Sequence, residues 1–184
     1  SYRGADYSKA MISECQTFSF DKKSEVTYVE GNVLDYQPPN PVDYIFTDRC
    51  LINLASHAEH VGAIINIHSC LKDKGIFLMT ECSKTGLDNI NKARKTFDLP
   101  AITERWHNCY IEENRLLKEI NSYFNVEAID SFNSTYFLLS RVVNALLSSP
   151  NDGPDYLSEI NRIASQLPPE GDYAPLKLFI LKKK

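Results

Sequence analysis

Short apolar runs alternate along this chain with stretches in which apolar residues recur every three or four positions. The runs at 2–7, 26–29, 42–47, 76–80, 126–132 and 176–181 have the length and composition of strands. The periodic stretches at 8–18, 56–71, 111–123, 136–147 and 156–166 predict helices. Ser8 suits an N-cap, with Met11, Ile12 and Cys15 forming one apolar stripe behind it. The unbroken run Val42-Asp43-Tyr44-Ile45-Phe46-Thr47 fits a strand buried on both faces of a parallel sheet. Lys72-Asp73-Lys74-Gly75 reads as the C-terminal turn of the helix before it, with Gly75 in the left-handed position. The three prolines in 37–41 predict a loop, as do residues 148–155 and the turn at 168–171. Residues 82–108 show little clean periodicity, and long connections of that kind tend to be functional lids or inserts. Strands alternating with helices imply an α/β fold with a mainly parallel sheet, organised as one domain over 1–184.

Composition narrows the function classes. The 20 Lys and Arg against 24 Asp and Glu leave a net charge of −4, and the only basic run is Lys182-Lys183-Lys184. No basic stripe is present to follow a phosphate backbone, so nucleic acid is not an expected partner. The apolar stretch 137–147 is interrupted by Arg141 and falls short of the roughly 20 residues that cross a membrane. The first residues carry no apolar segment after a basic start, so they do not read as a signal peptide. Five widely spread cysteines, odd in number and without C-x-x-C, read as reduced thiols in a cytosolic (cytoplasmic) protein. His57, His60 and His68 flank one predicted helix without an acidic or thiolate partner at ligand spacing, so no metal site is expected.

In open parallel sheets ligands bind beyond the carboxyl ends of the strands. Four such ends carry polar groups here: Asp6, Asn32, Asp48-Arg49-Cys50 and Glu81. A carboxylate at position 6 can accept from both hydroxyls of a ribose, or can simply start the following helix. Asn32 and the backbone N–H of Val33 can meet a purine edge, or Asn32 can form a plain turn. Gly31 would let a flat ring approach the main chain.

These segments, taken in order, resemble class I S-adenosylmethionine-dependent methyltransferases. Tyr2 to Ile12, with Asp6, Tyr7 and Met11, resembles that family's second strand and following helix, and Glu30-Gly31-Asn32-Val33-Leu34-Asp35 its adenine-contacting segment. Val42 to Phe46 resembles the fourth strand, Leu71 to Phe77 the turn into the fifth, and Leu176 to Lys182 the reversed last strand. The resemblance implies a Rossmann-like sheet, mainly parallel with a reversed last strand and helices on both faces. It implies S-adenosylmethionine as cofactor, held by Asp6, Tyr7, Met11, Asn32, Val33 and Asp48. The family's Gly-rich first motif should lie about 20 residues before Tyr2. The seven glycines contain no G-x-G, so the chain is expected to be a piece of a longer protein. A sheet without that central strand would leave two inner edges unpaired.

The stretch 82–110 is expected to be a substrate-side insert or lid. Within it His107 could take a proton from an acceptor hydroxyl, while Trp106 and Tyr110 could form a flat apolar wall. Arg49 and Cys50 follow the fourth strand on the substrate side; Arg49 could pair with an anionic group or with Glu81. Arg141 on its apolar helix reads as half of a structural ion pair. The expected activity is methyl transfer to a small-molecule, sugar or lipid acceptor, through a hydroxyl. The competing reading is a non-catalytic domain that keeps the fold for partner binding. A nicotinamide oxidoreductase would also need the Gly-rich turn.

Overall fold

The computed structural model describes residues 1–17, 25–148 and 154–184. The predicted helix end at Phe18 and positions 149–153 of the predicted 148–155 loop lie outside these residues. Strand β1 (Tyr2–Asp6) leads through helix α1 (Lys9–Thr17) to β2 (Val26–Glu30), which pairs with it in parallel from Tyr2↔Val26 to Asp6↔Glu30. The rest of the chain builds a second, four-stranded sheet from β3 (Val42–Asp48), β4 (Leu71–Cys82), β5 (Phe124–Asp130) and β6 (Leu176–Lys183). Its order is β3-β4-β6-β5, with β3 and β4 parallel and β6 antiparallel to both neighbours.

The single, mainly parallel sheet is therefore corrected to two sheets, the larger one mixed. Among the described residues β1 pairs only with β2, and β3 only with β4, so each keeps one edge without a ladder partner. The run 42–47 is correspondingly not buried on both faces: Tyr44 is 66% and Phe46 62% exposed. The two sheets are joined by the segment after β2. Asn66 of α2 (His57–Cys70) donates through Nδ2 to the carbonyls of Val33 and Tyr36, at 3.0 Å each.

The main core lies on the face of the larger sheet that carries Phe77 and Met79 of β4 and Phe179 and Leu181 of β6. Helix α2 covers it with Ala63, Ile64 and Ile67, and α4 (Glu113–Ile120) with Leu116 and Ile120. Burying each large apolar side chain there contributes roughly 1.5–3 kcal/mol. A smaller cluster joins Leu87 and Ile90 of α3 (Lys84–Thr96) to Val142. That valine sits in a π-turn, Leu139–Val143, between α5 (Ser134–Leu138) and α6 (Asn144–Leu147); a last helix, α7 (Glu159–Ala164), follows.

Three expectations are corrected here. Residues 72–75 belong to β4 rather than to a helix-ending turn, and the left-handed residue is Lys74 (φ 62°), not Gly75. Glycine at 75 answers a close approach instead: a Cβ would stand 2.9 Å from the Lys72 carbonyl oxygen. The stretch 82–108 contains the 13-residue helix α3, started by Ser83, whose hydroxyl accepts from the Gly86 N–H. Arg141 stacks its guanidinium over Tyr156 and Phe137, 4.3 and 5.1 Å from the ring centres, in place of the expected ion pair.

Candidate functional site

The carboxyl ends of β1, β3 and β4 carry Asp6, Asp48 and Glu81. At the first, Asp6 Oδ1 accepts from the Ser8 N–H at 2.8 Å, and Ser8 Oγ in turn meets the Met11 N–H at 3.4 Å. Asp6 thus starts α1, and its second oxygen retains the acceptor capacity that a ribose would need. Asn32 makes the turn its residue type allows: Oδ1 accepts from the Leu34 N–H at 3.0 Å, and its carbonyl from Tyr36 N–H at 2.7 Å. The flat ring that Gly31 admits is that of Tyr36, since a Cβ would come within 2.6 Å of it. Tyr7, in the turn before α1, and Met11, on α1, are both exposed.

At the end of β3 the chain turns sharply. Arg49 adopts φ 49°, and its N–H reaches back to the Thr80 carbonyl at 2.8 Å. Its guanidinium pairs with Asp48 at 3.4 Å, not with Glu81, and both side chains are largely exposed. Glu81 is fully buried and accepts three main-chain N–H groups instead: Cys50 and Leu51 at 2.9 Å on Oε1, Ile52 at 3.2 Å on Oε2. Burial pushes its carboxyl above the ordinary range, and those N–H groups, with the Thr47 hydroxyl, pull it back. Burial and the Glu81 and Asp6 charges push the Cys50 thiol up to about 11, so it is a neutral thiol near pH 7 and no nucleophile. Cys82 is raised to about 11, chiefly by burial, and also senses Tyr110, Glu81, Arg49 and Asp48. Asp6 thus lies within electrostatic reach of Cys50, and Asp48, Arg49 and Tyr110 within reach of Cys82, all near the ends of these strands.

The segment after α3 closes over the same end. Cys109 N–H donates to the Ile52 carbonyl at 2.7 Å, and Ile111 N–H to Cys82 at 2.8 Å, so 109–111 runs alongside 82–84. Tyr110 packs into the smaller core cluster, and burial raises its hydroxyl to about 12. Trp106 is 95% exposed and stands edge-on to His107, ring centres 5.2 Å apart. Both rings therefore lie on a solvent-facing loop, tethered at Cys109.

Two further buried features lie away from the strand ends: a lysine cluster that the sequence reading did not single out, and His60, weighed there only as a metal ligand. Lys177 Nζ, 2% exposed, lies 2.7 Å from both Glu113 Oε1 and Asp172 Oδ1. Ser83 Oγ also donates to Glu113, and Ser131 Oγ to Asp172. The signal available was a lysine in an otherwise apolar strand, Leu176-Lys177-Leu178-Phe179. His60 is the second: it is fully buried, its imidazole pushed down by burial, with the His57 ring 6.4 Å away. Among the described residues no group of three or more His, Cys, Asp and Glu side chains is placed to hold a metal ion. Nor is any helix there long and apolar enough to cross a membrane.

Neither family models nor curated proteins match the chain. Solved structures do. The N-methyltransferase NodS of Bradyrhizobium japonicum, in complex with S-adenosylhomocysteine, superposes with a TM-score of 0.52 at 10% identity, over 98% of this chain and 65% of that one. The magnesium protoporphyrin IX methyltransferase ChlM of Synechocystis, also with S-adenosylhomocysteine, gives 0.57 at 13% identity, over 99% of this chain and 64% of that one. A Methanosarcina mazei SAM-dependent methyltransferase gives 0.57 at 11% identity, over 99% and 81%. The chain thus spans just under two thirds of the first two. It shares the α/β fold of the class I S-adenosylmethionine-dependent methyltransferases.

Proposed function

We propose that this chain is the greater part of a methyltransferase domain that uses S-adenosylmethionine and acts on a small-molecule, sugar or lipid hydroxyl. The observation that carries the reading is the strand-end series Asp6, Asn32 and Asp48 on a fold shared with proteins crystallised with S-adenosylhomocysteine. The residues present fit the nucleoside half of that cofactor. Asp6 has one carboxylate oxygen engaged by Ser8 and capacity left for ribose hydroxyls. Asn66 fixes the Val33–Tyr36 segment through two carbonyls, which holds the adenine side in place. Tyr7, Met11 and Asp48 complete that side. The methionine half would be held by a Gly-rich turn on a further strand, which could pair with the edges of β1 or β3 that have no ladder partner among the described residues.

When bound, S-adenosylmethionine supplies an activated methyl on sulfur, so the protein has chiefly to align and to manage one proton. His107 accepts that proton from the acceptor hydroxyl. Arg49 orients an anionic part of the acceptor. Cys50, Trp106 and Tyr110 line its path, and 82–110 forms the substrate-side insert. A location in the cytoplasm agrees with five free cysteines.

Calorimetric titration of S-adenosylhomocysteine into this chain, and into a version extended upstream, tests the reading. Binding by the extended version is expected, and Asp6→Ala should weaken it about ten- to hundredfold, the cost of losing hydrogen bonds to a charged acceptor. Binding by neither version would favour the non-catalytic alternative.

A further inference from the structure

We propose that Glu81 is the positioning residue of the cleft: its buried carboxylate holds the 50–52 turn and, through that turn, the Trp106–His107 loop. The inference rests on reading the strand-end cleft as the reaction site, but its geometry stands without a ligand. Alternation along β4 points Phe77, Met79 and then position 81 to the same covered face. An apolar residue would be the default at such a place. A carboxylate there loses its hydration and persists only if hydrogen bonds replace it. Across the ladder Glu81 faces Lys177, yet that ammonium is taken up by Glu113 and Asp172. The replacement therefore comes chiefly from the N–H groups of Cys50, Leu51 and Ile52, with a smaller share from the Thr47 hydroxyl.

Those three donors open the 3₁₀ turn Leu51–Asn53, where their main-chain N–H groups have no partner within the turn. The carboxylate and the turn thus satisfy one another. The next link is covalently short: Ile52, whose N–H meets Oε2, presents its carbonyl to Cys109 N–H at 2.7 Å. Cys109 stands two residues from His107 and three from Trp106. One buried carboxyl group on β4 therefore sets the height of both the Arg49–Cys50 corner and the aromatic loop above it. Gln at 81 would keep the shape but replace one acceptor oxygen by a donor facing an N–H group.

The test uses the fact that Trp106 is the only tryptophan. Amide hydrogen exchange and Trp106 fluorescence anisotropy are measured on the wild-type chain, Glu81→Gln and Glu81→Asp, with circular dichroism to confirm folding. In Glu81→Gln the amides of residues 50–52 and of Cys109 should exchange at least tenfold faster and the anisotropy should fall. Amides in the β4–β6 ladder should stay as they were, and Glu81→Asp should restore part of both signals. A folded Glu81→Gln with wild-type exchange at those four amides overturns the proposal. If neither variant folds, the wild-type chain decides: fast exchange at residues 50–52 overturns the proposal, and slow exchange matched by Cys109 supports it. Failure of S-adenosylhomocysteine to bind while this coupling holds would reject the methyltransferase reading alone.

Discussion

Asp6 and Glu81 do similar local work in different surroundings. Each is a carboxylate at the end of a strand with a parallel neighbour, and each accepts main-chain N–H from the start of a turn: Asp6 from the turn after its own strand, Glu81 from the turn after neighbouring β3. Around Asp6 the two-stranded sheet is thinly covered. Ile12 is the buried apolar residue of its helix, and Tyr2 and Tyr7 are 68% and 77% exposed. Around Glu81 the four-stranded sheet is covered by α2 and α4, and the carboxylate has no contact with solvent. Burial converts the same donor–acceptor pattern from a solvated group open to a ligand into a fixed clamp. The smaller sheet carries Asp6, one of the residues proposed for the cofactor side, and the larger one carries the buried core against which it is held.

The sharpest way to probe that frame is to remove Lys177. Its ammonium is the cation between two carboxylates, and withdrawing it strands Glu113 and Asp172 in or near the interior. Lys177→Met should destabilise the chain by about 3–5 kcal/mol, the usual penalty for breaking a buried ion pair from one side. A shift of the urea midpoint at unchanged slope would report it. A loss below about 1 kcal/mol would show that the larger sheet is no more fixed electrostatically than the smaller one, where exposed pairs such as Lys9–Glu30 contribute about 0–1 kcal/mol.

Most strands and helices were legible because hydrophobic period reports local geometry directly. The run at 26–29 becomes β2, and 56–71 becomes α2 within a residue at each end. Helix α3 escaped notice although Ser83 and the Leu87–Ile90 spacing marked its start and its buried face. Strand β5 lies two residues earlier than the pattern 126–132 suggests, because Phe124 is its buried anchor and pairs opposite Lys183. Among the site residues, Asp6 and Asn32 announce themselves by following strands, and each proves to serve a turn as well. Glu81 was visible as a strand end, but its partners are main-chain groups 29 to 31 residues away. No spacing rule encodes such a contact. The Lys177 cluster gathers residues from 83 to 177 and becomes apparent only when the fold assembles.

The glycines sharpen the contrast between the two sheets at the smallest scale. Gly86 in α3 lies against main chain: a Cβ would stand 2.0 Å from the Ala174 carbonyl oxygen and 2.6 Å from its carbon. Backbone cannot rotate away, so the helix or the segment before β6 must shift. Gly86→Ala should cost about 1–3 kcal/mol despite alanine's better helix propensity. In the smaller sheet, Gly4 lies against a side chain, with a Cβ 2.8 Å from Tyr28 Cδ1. A side chain yields more readily than main chain, and alanine recovers chain entropy that glycine loses in a strand. Gly4→Ala should therefore change stability by less than about 1 kcal/mol in either direction. Paired denaturation curves decide between rigid and compliant surroundings. Equal losses at the two positions would mean that the β1–β2 unit is packed as firmly as the four-stranded sheet, and that Asp6 is held as rigidly as Glu81.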